Sequence, residues 1–564
     1  MLPSKAYARN AAVDINVFKG LNRRIKSETG EFFDMENAGH GDFPCLSSIK
    51  NSKVSLNPGL EIIKYIIPRY AAAPMSGFTG IAKNAEGKFE LYIGGECKKA
   101  FDEYTDAVDF NGTIFVFPAF MGYNYVMSSG SESDKWIFPA GVVNCVVSLA
   151  RIWETKSGSM LIEKTYDTVS KNLSEGLSVS FSGFTGEYEV NNTIYPANST
   201  DYSNLKSPVS ITITKIKVGS GSSSSNPLTQ VDFIMRNAKG EKIMPHAGNV
   251  DDGRYGDDIS GIDIDAYMPK AEHFCVSQNR LWICDSSGEK IQASALGRPI
   301  DFFDLGTSAS GGWYGEVGTP GHFTGIIGLQ NRVIAFKEDS MHIVYGSNPL
   351  EYSIEKTYTT GCIDKNSLCA AGNMVIWLYH DGFYSYSGGA PRRISEKLNT
   401  RYVSAVAFAD NVRYYARCVR EDGEAEFLIY DTEYGFWTKI SDMQILGGEF
   451  YGGKVYAYDR EKVYELFGGE YGDFYAETTE MWFDSFDEKS VIYALIRCRI
   501  KDGGFLNLYT SANGGEWVPH KGISAGGKHK LPIRYSKGDT LRLRFEGHGE
   551  VALLDVEMEL KVES

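Results

Sequence analysis

The sequence contains no Cys-x-x-Cys pair. Its nine cysteines, Cys45, Cys97, Cys145, Cys275, Cys284, Cys362, Cys369, Cys418 and Cys498, are odd in number and scattered. That spacing excludes a zinc ribbon or a thioredoxin-like site and speaks against a disulfide framework. The thiols read as reduced and mostly buried, in a protein that folds in a cytoplasm. No stretch approaches the roughly 20 apolar residues that cross a bilayer, so no membrane-spanning segment is expected. The opening residues, MLPSKAYARNAAVDINVFKGLNRR, lack the apolar core of a signal peptide. GxSxG, HExxH, a Walker loop and a GxGxxG followed by an acid are all missing. These absences remove enzymes recognised by a local motif. They do not remove glycosidases, whose two carboxylates lie far apart in sequence. Positive charge is in deficit, with 57 Lys and Arg against 72 Asp and Glu and a net charge of −15. Such a chain is poorly suited to gripping nucleic acid. It suits solubility, or a conduit that DNA passes without sticking.

What the sequence does have is glycine and aromatic residues: 60 Gly, 34 Tyr and 31 Phe in 564 residues. Glycine punctuates turns and aromatics favour strands, which points to an all-β protein. The hydrophobic fraction of 43% and charged fraction of 23% are those of a folded chain. The length implies two to four domains.

Residues 1–60 are polar and weakly periodic, and read as an extended arm ordered by a partner or by the rest of the fold. Between 61 and 130 short strands appear, as in GKFELYIGG and NGTIFVFPAF. Residues 131–265 break the pattern and read as a small inserted β domain. In it Leu177, Val179 and Phe181 alternate, and Ile211, Ile213 and Ile216 nearly do. Its GSGSSSSNP stretch, Gly219 to Pro227, has the composition of a flexible loop tip.

From 266 to 475 a unit recurs: a polar turn, an apolar strand, then a second turn and strand. Asn279, Asn331, Asn373, Asn411 and Gly453 mark it at spacings of 52, 42, 38 and 42. Periods of about 40 to 50 with several strands each are the pattern of β-propeller blades. With the earlier strands, six or seven blades are expected. A lone blade has two apolar faces to cover, and radial packing covers both. Residues 476–564 alternate strictly: Ile496, Cys498 and Ile500 oppose Arg497 and Arg499, and Leu541, Leu543 and Phe545 oppose Arg542 and Arg544. This predicts a C-terminal β-sandwich.

Candidate chemistry is sparse. Asp251 to Asp265 carries six Asp and could attract Ca²⁺, but it lacks an EF-hand's spacing and closing Glu, so a solvated loop is the plainer reading. SANGGEWV, Ser511 to Val518, resembles the Asp-box turn of sialidases with Asn513 at the Asp position, and that box is structural even there. His342 sits in a strand as a packed or surface residue, and His380 precedes an Asp-Gly turn. The pairs Arg497/Arg499 and Arg542/Arg544 are either solvated sheet faces or a basic stripe for an acidic partner subunit. No catalytic, cofactor-binding or metal-ligating residue is assigned, no cofactor is expected, and the chain is read as non-enzymatic.

Several segments in series resemble one family. NRLWICDSSGEKIQASALGRPIDFFD, GTPGHFTGIIGLQNRVIAFKEDSMHIVYG, GCIDKNSLCAAGNMVIWLYHDGFYSYSGGAPRRIS and LIYDTEYGFWTKI are similar, in that order, to strand pairs of bacteriophage tail nozzle, hub or tail tubular protein B proteins. The terminal LRLRFEGHGEVALLDVEMEL resembles their last domain. The resemblance covers about Phe274 to the end. It implies a virion component in the tail or neck, made in the host bacterial cytoplasm. Copies would form a ring, sixfold by expectation, around the DNA exit channel. The ring would contact a tail adaptor and fibres, pass double-stranded DNA without specific binding, and support genome retention and ejection. Two other readings compete with it: a receptor- or glycan-binding tail-tip propeller, and a glycosidase.

Overall fold

The computed structural model describes residues 9–24, 28–39, 41–72, 75–138, 268–286, 288–302, 308–483, 487–533 and 537–563, and the backbone of ten strands between 144 and 266. The chain divides into two compact units, Met1–Asp102 with Thr360–Ser564, and Glu103–Thr359. It is all-β: among the described residues the helical elements are short 3₁₀ turns.

Among the described residues, seven four-stranded antiparallel sheets are the propeller blades. In chain order the first spans 61–101, the second 106–137, the third 271–316, the fourth 323–358, the fifth 369–393 and the sixth 402–440. The seventh joins three strands of 447–465 to Lys53–Leu56. Within the first unit the leading strands of blades five, six, seven and one lie side by side in turn. Within the second unit those of blades two, three and four do the same. Sequence period and packing agree here. Middle strands such as Arg280–Asp285 and Met374–Tyr379 are almost wholly buried, because neighbouring blades cover both faces. That is why they read as continuous apolar runs. Phe117 stacks on Phe274 at 3.9 Å between blades two and three, and Trp282 and Val333 share a core between three and four.

The marker residues fall in the hairpin turn after each blade's leading strand. Ser277 pairs with Arg280 and Tyr451 with Lys454, leaving two-residue turns. Gln278 and Asn279 have φ of 53° and 55°, and Gly452 and Gly453 have 59° and 77°. Two successive left-handed residues match the twist of the strands, and Asn and Gly tolerate them best. In the sixth blade an Asp locks this turn, and in the seventh an Asp locks the following hairpin, between Lys454–Tyr458 and Val463–Glu465. Asp410 accepts two backbone N–H bonds and the Tyr415 hydroxyl at 2.7 Å. Asp459 does the same with Tyr464 at 2.8 Å.

The inserted domain is a ten-stranded sheet. Its strand Ser210–Val218 shifts register between Ile213 and Lys215. That bulge explains why the isoleucines change from odd to even positions there. Residues 219–227 and 251–261 lie outside the described residues. The second blade takes its last strand from Trp136–Ile137, beyond residue 130, because two residues are too few to show a period.

Residues 476–564 form the sandwich, joined by Asp473–Thr478 and by most of the N-terminal arm. Arg9–Ile15 pairs with Val556 to Val562, Leu46–Ser48 with the same long strand, and Phe32–Glu36 with Asp473–Thr478. The arm is thus ordered by strands more than 400 residues away in sequence. Sandwich strands have one solvated face and alternate: Leu541, Leu543 and Phe545 are buried, as are Ile496 and Cys498, while Arg497 and Arg499 are exposed.

Candidate functional site

The most elaborate polar cluster of the first unit lies where the arm crosses the sixth blade beside the sandwich. The crossing is close: the Leu21 N–H donates to the Trp437 carbonyl at 2.7 Å, and a Cβ on Gly20 would sit 2.2 Å from that oxygen. Arg23 then donates both Nη atoms to Glu426, at 2.9 and 2.7 Å, in a bidentate pair. The Tyr402 hydroxyl also donates to Glu426. Asp34 accepts from Lys439 Nζ and from the Tyr475 hydroxyl, both at 2.6 Å. Glu31, almost fully buried, accepts from Lys397 and Asn22, also at 2.6 Å. A cleft of about 610 Å³ opens above, lined by Arg23, Asp34, Arg401, Arg420, Glu421 and Lys439.

The electrostatics decide what this cluster can do. Burial pushes both Asp34 and Glu426 up, but their hydrogen-bonded cations outweigh it and both sit below the usual carboxylate range. Burial likewise opposes the Arg23 charge, and Glu426 more than restores it. Both carboxylates are therefore ionised and fully engaged. A glycosidase needs one carboxyl held protonated as general acid, and neither group fits that role. The arrangement is a clamp that fixes the arm to the blade and to the sandwich.

A second, smaller cavity of about 390 Å³ lies among the first, fifth, sixth and seventh blades. Glu61, Lys83, Asn366 and Arg460 line it together with Val406 and Leu446. The leading strands that contribute to it run side by side, as an inner wall of blades must.

The residues singled out in the sequence are dispersed. His342 is buried, within 2.8 Å of the Thr319 hydroxyl and 3.3 Å of Ser340. His380 is exposed in a two-residue turn against Tyr379. In the Asp-box-like turn Asn513 adopts φ 49° and accepts from the N–H groups of Asp539 and Thr540 at 2.8 and 3.1 Å, a structural tie. The described cysteines are unbridged; Cys284, Cys362, Cys418 and Cys498 are buried and Cys97 is exposed. Residues 251–261 of the acidic segment lie outside the described residues. Among the described residues no group of three or more His, Cys, Asp or Glu is placed to hold a metal ion, and no helix is long and apolar enough to cross a membrane. The two Arg pairs part company. Arg542 and Arg544 are both salt-bridged to Glu477, with Arg542 over the Trp517 ring and Arg544 over Tyr475. Arg499 meets Asp42 at 3.0 Å on an open surface.

Sequence reasoning missed Arg23, Asp34, Glu426 and Lys439, whose partners are some 400 residues apart. It also missed three buried cations bound to loop carbonyls. Arg280 donates to Ser294 and Ala309 at 2.7 and 2.8 Å. Lys337 donates to Gly288 and Thr319, both at 2.6 Å. Lys489 donates to Asp487 and Asp539 at 2.8 and 2.7 Å. For Arg280 and Lys337 the available signal was a cation at the very edge of an apolar strand, as in NRLWIC and VIAFKED.

No family model matches the chain, and no curated protein matches it. Among solved structures it is similar to a glycoside hydrolase family 43 arabinoxylan arabinofuranohydrolase from Bacillus subtilis, at 9% identity and a TM-score of 0.17, covering 74% of this chain and 96% of that one. It is similar also to an exo-β-1,3-galactanase from Phanerochaete chrysosporium, at 10% identity and a TM-score of 0.16, covering 74% and 100%. At such scores the likeness carries no argument.

Proposed function

We propose that this chain is a structural component of a bacteriophage virion, a nozzle- or hub-like part whose copies form a ring around the DNA exit path of the tail or neck. The observation that carries the reading is the way the first unit is closed by its own N-terminal arm. Four arm segments extend sandwich sheets, and Lys53–Leu56 completes the seventh blade. Strand ladders, the Arg23–Glu426 clamp and blade-to-blade packing resist shear, as a conduit wall must. The ordered series of blades and terminal sandwich that resembles the phage proteins supports the same reading. Its mechanism is mechanical: a stiff wall with a net charge of −15 repels the DNA backbone, so the genome slides without binding. Labelled antibody against the chain, viewed by electron microscopy on virions, is expected to decorate the tail or neck. A chain absent from purified virions contradicts the reading.

A further inference from the structure

On the outer face of the seven-stranded sheet like charges are placed against each other on two flanks, with Lys561 the cation at the far end of the acidic strand. On one flank Arg497 lies directly opposite Lys528 across neighbouring strands, and Lys530 follows two residues on. On the other flank Asp14 lies directly opposite Glu557. The flanks meet at mid-sheet, where Arg497 lies opposite Asp555 on its other side. That attraction does not cancel what Asp555 faces: burial, then the hydrogen bond and charge of Asp14, hold it above the usual carboxylate range. Like charges directly opposite on adjacent strands destabilise a sheet. Lys528 sits on an edge strand, where a lysine deters unwanted strand pairing. That guard explains one lysine, and Lys530 lies over the Tyr493 ring, 3.6 Å from its centroid; neither contact removes their positive charge, and neither explains the acids gathered on the far flank.

We propose that this face is the contact between copies: the basic flank of one molecule, Arg497, Lys528 and Lys530, seats against the acidic flank, Asp14, Asp555 and Glu557, of a second copy. Each flank holds an excess that the other offsets, so docking relieves both repulsions. Because the two flanks differ, the contact can repeat head-to-tail, and where the rotation between successive copies closes, a repeated head-to-tail contact makes a ring. The inference rests on the ring reading and assigns its interface.

The test uses two charge-reversed full-length chains, Lys528→Glu/Lys530→Glu and Asp14→Lys/Glu557→Lys, with circular dichroism as the folding control. Asp14, Glu557, Lys528 and Lys530 are all exposed. Each variant alone is expected to elute as a monomer in size-exclusion chromatography with light scattering. Their mixture is expected to regain the wild-type assembly, because every junction between unlike variants is again complementary. Wild-type assembly is expected to weaken as salt rises, independently of any substitution. If wild type forms rings and either variant alone forms them too, the inference falls and the ring reading stands. A folded mixture that stays monomeric also overturns the inference. Wild type that is monomeric at low salt removes the ring reading itself.

Discussion

The two sheets of the sandwich carry the same sequence signal and treat it in opposite ways. In the five-stranded sheet the Arg-x-Arg pair Arg542/Arg544 is neutralised at once by Glu477, with Glu546 beside Arg544 and aromatic rings beneath. In the seven-stranded sheet Arg499 meets Asp42 on open surface, while Arg497 stands beside Lys528 on an exposed face whose other acids gather toward the far flank. Alternation fixes which residues face outward and says nothing about who meets them there. The half-buried face, where a bare charge is costly, is paired within the molecule. The solvated face can leave its charges segregated, and that leaves them available to a partner.

The largest test of the contrast lies at the clamp, the most buried of the paired sites. Glu426→Ala strands Arg23 and is expected to cost about 3–5 kcal/mol in denaturant unfolding; a loss below about 1 kcal/mol would show that the clamp contributes little. At the half-buried five-stranded face, Glu477→Ala leaves two arginines without their shared acceptor and is expected to cost about 1.5–3 kcal/mol. Acid gives an intermediate test. Asp34 and Glu426 titrate below their unfolded values, so the stability they add is complete above those values and is lost as pH falls through the lower folded ones. Wild type is expected to lose stability more steeply than Asp34→Asn below about pH 4, and parallel curves would refute the assignment. Smallest of all, Lys528→Ala on the segregated face is expected to change monomer stability by less than about 0.5 kcal/mol, with a gain rather than a loss if relief of repulsion from Arg497 dominates. A large loss there would mean the face is paired after all.

Much of the fold was legible because blades and sandwich strands are built from neighbours in sequence. Asn279, Asn331, Asn373 and Gly453 each announced a hairpin, and burial on two faces or one set the contrast between RLWICD and LRLRF. The arm was not legible, since Arg9–Ile15 and Phe32–Glu36 show no distinct period and their partners lie at the far end of the chain. The clamp was illegible for the same reason: nothing near Arg23 points to Glu426. The Asp410–Tyr415 and Asp459–Tyr464 locks share a five-residue spacing that was available in the sequence and passed unread.

Native mass spectrometry of the wild-type chain at low ionic strength tests the central claim most directly. A closed oligomer of one size that dissociates as salt is added is the predicted result. A chain that remains monomeric at every concentration and ionic strength would contradict it.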